Sequence, residues 1–182
     1  VGAEFYQRCG AANLAELRAL PAEKLMEAAQ SMFAGMAGRG LPFWPVVDGH
    51  VMQAGYNASI EQGLIHDVPL MAGSTSSDLG ASPDTAKRSG ADPLSRGCID
   101  LSLALESLGR KPAYVYYFNQ VPQGDDAGAF HSSELWYVFG TLDRSWRPKT
   151  PADYLVSGAL ADYWTNFIKT GDPNGANLPA WR

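Results

Sequence analysis

No run of lysines or arginines, no CxxC pair and no apolar stretch of bilayer length occurs among these 182 residues. Each absence removes a class of function. The 14 basic residues are scattered among 19 acidic ones, for a formal net charge of −5, so no basic face for nucleic acid is expected. The two cysteines, Cys9 and Cys98, cannot build a zinc knuckle by themselves. They read as small buried hydrophobes, with a disulfide between them possible but unsupported by spacing. The longest apolar runs, such as Ala113 to Phe118, are far too short to cross a bilayer, so no membrane partner is expected. Charged residues are also few, 18% against 46% hydrophobic, the balance of a well-buried globular fold rather than a disordered chain. The sequence opens on Val1, without methionine or a signal-like segment, and the expectation is that its true N-terminus is missing.

What is present alternates helix and strand. Asn13, with Glu16 three residues on, is read as an N-cap for a helix running to Ala34. Pro21 interrupts it and Ala22 restarts it. A glycine-rich loop follows over Gly35 to Gly40, then a loop or short edge strand with an Asp48-Gly49 turn. Val68 to Gly73 is short, apolar and bounded by turn residues, so a buried strand, which polar Ser74 to Asp78 then leaves. Ser82 to Pro93 reads as loop, and Ile99 to Leu108 as helix ended by Gly109. Pro112 to Phe118 is the strongest strand by β-branched and aromatic content. A Gly/Asp-rich loop leads to His131, and Ser132 to Phe139 begins a short helix. Pro151 to Lys169 is a long helix, with Leu155, Leu160, Tyr163, Trp164 and Phe167 at buried spacings, stopped by Gly171 and Pro173. Strands separated by helices at these lengths point to an α/β fold with parallel strands.

In open α/β sheets, ligand chemistry sits beyond the carboxyl ends of the strands. Two polar loops occupy that place here. One carries Asp78, able to orient an imidazole, and the other carries His131. Acid before histidine is the chain order of α/β-hydrolases. Asp67 and Asp84 compete for the acid role, while His50 and His66 read as ordinary loop residues. Glu134 lies three residues after His131, but no other histidine or cysteine stands at a spacing that would complete a metal site.

Five blocks, in order, resemble type B carboxylesterases, the family that includes cholinesterases and para-nitrobenzyl esterases. Leu17-Arg18-Ala19-Leu20-Pro21 is similar to its "LRALP" segment, and Pro45-Val46-Val47-Asp48-Gly49 to its "PVVDG". Asp67 to Gly73, continuing through Asp78, resembles the strand and loop that present the catalytic acid. Gly128-Ala129-Phe130-His131-Ser132-Ser133-Glu134-Leu135-Trp136-Tyr137-Val138-Phe139 is similar to "GAFHxxELxYVF", whose histidine is catalytic. Tyr163-Trp164-Thr165-Asn166-Phe167 and Lys169 to Asn174 resemble "YWTNFxKTGDPN". The resemblance implies the C-terminal portion of an α/β-hydrolase fold within a single catalytic domain, 1–182. It implies Asp78 and His131 as triad acid and base, a carboxylic ester as substrate, and no cofactor or metal. It also casts Glu134 as structural, holding the histidine loop through a buried ion pair or backbone hydrogen bonds.

Three departures stand out. No G-x-S-x-G pentapeptide occurs, so serine and oxyanion hole are expected in an N-terminal part, with that part or another copy of the chain as partner. The acid is Asp78 followed by Leu79, where the family usually has glutamate followed by glycine. The 53-residue separation of acid and histidine is shorter than expected, as if a helical insertion were trimmed between Gly80 and Cys98. The alternative reading is a catalytically silent adhesion or scaffold module of the same family.

Overall fold

The computed structural model describes residues 1–35, 43, 45–78 and 92–181. The glycine-rich loop beyond Gly35, Asp84, the start of the expected Ser82–Pro93 loop and most of the trimmed Gly80–Cys98 stretch lie outside them. The chain forms two compact units, Val1–Gly55 and Tyr56–Arg182.

The first unit contains α1 (Gly2–Cys9), α2 (Leu14–Ala19) and α3 (Ala22–Gly35). Asn13 caps α2 as its spacing predicts: its side-chain oxygen accepts the Glu16 amide at 3.0 Å, and the Glu16 carboxylate takes the Ala12 amide in return. Helix α1 is held by tertiary contact. Phe5 packs edge-on against Phe43, which also meets Phe33 of α3. Arg8 pairs with Glu4 at 2.7 Å and donates to Ser31 of α3. Met32 is 1% exposed at this seam, a burial that contributes about 1.5–3 kcal/mol. In the Asp48-Gly49 turn, the carboxylate accepts the His50, Val51 and Met52 amides. The His50 and Met52 bonds lead in holding its pKa below the ordinary value.

The second unit runs α4 (Tyr56–Glu61), β1 (Met71–Thr75), α5 (Pro93–Ser107), β2 (Tyr114–Phe118), α6 (Leu135–Val138), a 3₁₀ turn (Leu142–Arg144) and α7 (Pro151–Thr170). Among the described residues, β1 and β2 form a two-stranded parallel sheet, in register from Met71 against Tyr114 to Thr75 against Phe118. Such a pair needs a crossover element, and α5 supplies it by packing on both strands. Parallel strands between helices are thus observed, but β1 is displaced toward the C-terminus. Ser74 and Thr75, expected to leave the strand, belong to it because Thr75 pairs with Phe118.

Helix α5 also begins earlier than expected. Asp92 is its N-cap, its carboxylate taking the Leu94 and Ser95 amides at 3.0 and 2.9 Å, and Pro93 is the first helical residue. A proline there loses no hydrogen bond, since that amide has no intrahelical partner. Replacing the buried Asp92 by alanine should cost about 1–2 kcal/mol, read as a lower urea midpoint, with Asp92→Asn retaining most of it.

The core gathers Phe118, Ala129, Tyr137 and Leu142, with Tyr116, Trp136, Val156 and Leu160 packed against it. Helix α7 turns Val156, Leu160, Trp164 and Phe167 inward, and the last two meet Tyr116 and Tyr114 of β2. At 100° per residue that stripe leaves Leu155 on the opposite side. Leu155 is 76% exposed, which corrects its expected burial. The two cysteines are free thiols, both partly buried.

Candidate active site

Asp78 and His131 come together. The β1 chain continues past Thr75 into a tight turn, closed by the Asp78 amide on the Thr75 carbonyl at 3.3 Å, and the Thr75 amide returns to Asp78 Oδ2 at 3.2 Å. Beyond β2, the loop carrying His131 is sewn to this turn by backbone. The Ser76 amide donates to the Phe118 carbonyl and the Ser77 amide to the Ala129 carbonyl, both at 2.9 Å, extending the parallel ladder to a Ser77–Phe130 bridge. Gly128 makes this approach possible. Its φ of +69° favours glycine, and a Cβ there would collide with the Ser77 side chain.

The result is His131 Nδ1 at 2.6 Å from Asp78 Oδ1, a short contact of the kind an ionised group makes. Facing an ionised carboxylate, which has no proton to give, a neutral ring donates from Nδ1 and presents Nε2 as the acceptor. The surroundings are asymmetric: the acid's side chain is 10% exposed and the imidazole 59%. The acid is sheltered while the base is open to a reacting group.

Other side chains brace the histidine loop. Phe130, next to His131, lies between the Arg147 guanidinium, 4.6 Å from its ring centroid, and the Trp136 ring at 5.8 Å. Arg147 in turn reaches back to Asp125 in the same loop, at 2.5 Å, and this hydrogen bond leads in holding the Asp125 carboxyl below its ordinary pKa. Ser132 is held at φ +69° immediately after the histidine, and the Ser133 amide closes on the Phe130 carbonyl at 2.9 Å. Glu134 does not hold the loop by charge. Among the described residues its carboxylate forms no ion pair, and Oε2 is buried without a hydrogen-bond partner.

A buried carboxylate that the sequence reading missed, Asp153, meets both Gln120 and Tyr137. It is 3% exposed and accepts Tyr137 Oη at 2.7 Å, Gln120 Nε2 at 3.0 Å, and the Thr150 amide and hydroxyl at 2.7 and 2.8 Å. Burial raises its pKa, but the hydrogen bonds from Tyr137, Thr150 and Gln120 outweigh it, and the net is a fall from 3.8 to about 2. The signal was present as Thr150-Pro151-Ala152-Asp153, a capping-box spacing, and the box forms.

A carboxyl whose pKa is lowered on folding stabilises the fold above its unfolded value and loses that contribution as pH falls through the folded one. On the order of 2 kcal/mol should therefore vanish between pH 3.8 and about 2. Urea midpoints across that window should show the loss, with the Asp153 share absent from Asp153→Asn.

The competing Asp67 is exposed in the approach to β1, as is the neighbouring His66, and His50 is exposed in the first unit. Among the described residues, no group of three histidine, cysteine or carboxylate side chains could hold a metal ion, and no helix is long and apolar enough to cross a membrane.

Residues 97–182 match the carboxylesterase family. Over 81 residues the chain is 37% identical to carboxylesterase 5A of Felis catus, covering 38% of this chain and 15% of that protein. It is 49% identical over 81 residues to the bile salt-activated lipase of Homo sapiens, covering 41% and 11%. A solved PNB esterase superposes with a TM-score of 0.67 at 24% identity, covering 97% of this chain and 46% of that one. The chain thus spans about half the length of the solved structure and a smaller share of the curated relatives. Its fold is a C-terminal portion of the α/β-hydrolase fold.

Proposed function

We propose that the chain, matched to the carboxylesterase family through residues 97–182 and similar to proteins named for ester hydrolysis, supplies the acid and base of that reaction. The observation that carries the reading is the 2.6 Å contact between His131 Nδ1 and the sheltered Asp78 carboxylate. The substrate is a carboxylic ester. A serine on a G-x-S-x-G elbow, supplied by the rest of the fold, attacks the ester carbonyl while His131 Nε2 takes its proton. The tetrahedral intermediate collapses, the C–O bond to the alcohol breaks, and the same Nε2 returns the proton to the leaving oxygen. Water then enters along the reverse proton path and frees the acid, restoring the serine. Throughout, Asp78 keeps the Nδ1–H tautomer and offsets the charge of the transient imidazolium.

Of the five serines near the pair, three are buried, and none of Ser74, Ser76, Ser77, Ser132 and Ser133 stands in a G-x-S-x-G elbow. Ser74 and Ser76 are buried in or just after β1, and Ser133 is 0% exposed. The partner under this reading is therefore a polypeptide bringing the elbow and oxyanion hole, or a second copy of this chain covering the exposed sheet edge. Exposed apolar side chains such as Val68 and Tyr117 support such covering.

The test is p-nitrophenyl acetate hydrolysis, by the purified chain alone and then with a polypeptide carrying the elbow and the remaining strands. Turnover that appears only in the mixture, beginning with a burst of nitrophenol as the acyl-enzyme fills, is the expected result. Turnover by the chain alone that disappears in His131→Ala would place the nucleophile within these residues and overturn the division of roles.

A further inference from the structure

The contact that sets the acid against the base depends on where the loop between β2 and α7 is fastened. Its backbone tie to β1 fixes Ala129, but His131 lies two residues beyond, after which Ser132 reverses the chain. Phe130 is braced by Arg147 and Trp136, and the next residue after His131 with a side chain tied by hydrogen bonds is Tyr137, fully buried, whose carbonyl accepts Ser157 Oγ at 2.7 Å and whose hydroxyl reaches Asp153. Gln120, two residues past β2, reaches the same oxygen of the same carboxylate.

We propose that Asp153 is a positioning residue for His131: its Oδ1 gathers both ends of the histidine loop onto the first turn of α7 and so sets the imidazole against Asp78. A capping box alone requires only the Oδ2 side, where Thr150 donates its amide and hydroxyl. Such boxes commonly stand at the surface and stabilise a helix end by about 1 kcal/mol. Here the carboxylate is buried at the positive end of the helix dipole, and its second oxygen is spent entirely on the loop. With four donors the carboxylate is saturated and cannot swing away without stranding Tyr137 Oη in the core. The anchors thus flank His131 from both sides, 11 residues before it and six after, and they converge on one atom. The inference rests on His131 being the base of the reaction proposed above.

The experiment is proton and ¹⁵N NMR of the histidine rings in the full 182-residue chain, with His50 and His66 assigned by substitution. Wild type should show a strongly deshielded Nδ1–H proton for His131, lost in Asp78→Asn. Tyr137→Phe and Gln120→Leu each remove one donor from Oδ1 and leave the Thr150 cap intact. Each should cut the acid-bonded population of His131 by about tenfold. Thr150→Ala, which weakens only the cap, should lower Tm and leave the His131 resonance in place. Gln120 stands in a half-buried loop, so its variant keeps the test readable where Tyr137→Phe costs too much stability. A His131 signal unchanged in both loop variants, while Asp78→Asn removes it, would overturn the positioning role alone. A signal that Asp78→Asn leaves untouched would overturn the acid–base reading itself. An effect of Thr150→Ala as large as the loop variants' would reduce Asp153 to a helix cap.

Discussion

Replacing His131, the proposed base, by alanine in the chain reconstituted with an elbow-bearing polypeptide should lower kcat by about 10⁶, with KM for p-nitrophenyl acetate little changed. The size follows from the proton's path. A serine hydroxyl at neutral pH is a poor nucleophile, and its attack must be coupled to removal of its proton. Among the described residues the imidazole is the open base beside the sheltered acid, 59% exposed, and alanine leaves nothing to accept the proton or return it to the alcohol. Substrate binding rests on other parts of the site, so the deficit falls on the chemical step. An independent check is the burst phase, which should disappear with turnover because acylation itself is blocked. A variant that keeps more than a tenth of wild-type kcat would sink the assignment.

Asp78→Asn should cost about 10⁴ in kcat, and the geometry gives the reason. Asp78 uses Oδ2 to accept the Thr75 amide and Oδ1 to accept the His131 ring. An asparagine in this place would turn its carbonyl toward the Thr75 amide, the donor that cannot move. Its NH₂ group would then face Nδ1. The ring must answer a donor with a lone pair, so its proton shifts to Nε2, where the serine's proton should have gone. The protein remains folded with the base in the wrong tautomer. A loss smaller than tenfold would send the acid role elsewhere.

Much of this arrangement could be read before any coordinates. The block from Gly128 to Phe139 singled out His131, the polar turn after the first strand singled out Asp78, and the parallel α/β pairing followed from the order of apolar runs. What stayed hidden was tertiary in origin. Helix α1 is eight residues long, too short to stand on propensity, and is held by Phe43 and Ser31, both distant in sequence. The start of α5 was hidden by Pro93, which reads as a breaker until Asp92 is seen to cap the helix. Leu155 stands among the apolar positions of this helix that the sequence places inward. Packing chose the stripe through Val156 and Leu160 instead. Glu134 was expected to hold the histidine loop through an ion pair or backbone hydrogen bonds; its carboxylate forms no ion pair among the described residues, while its carbonyl accepts the Tyr137 and Val138 amides. Asp153, 22 residues beyond the histidine, fastens the loop, and only the meeting of Gln120 and Tyr137 on one oxygen reveals that.

The ladder that carries Ser77 onto Ala129 has a consequence for how such sequences can drift. Because the acid turn and the histidine loop are joined through main chain, the distance between the two side chains is set locally, by amides and carbonyls that every residue type possesses. The 53 positions that separate them along the chain then act as a tether whose length hardly matters. Closing a loop of twice the length costs only about 0.6 kcal/mol more. Insertions and deletions between β1 and β2 are thus free to accumulate so long as the ends of both strands stay paired. A separation of 53 residues is therefore no obstacle to the meeting of the two side chains.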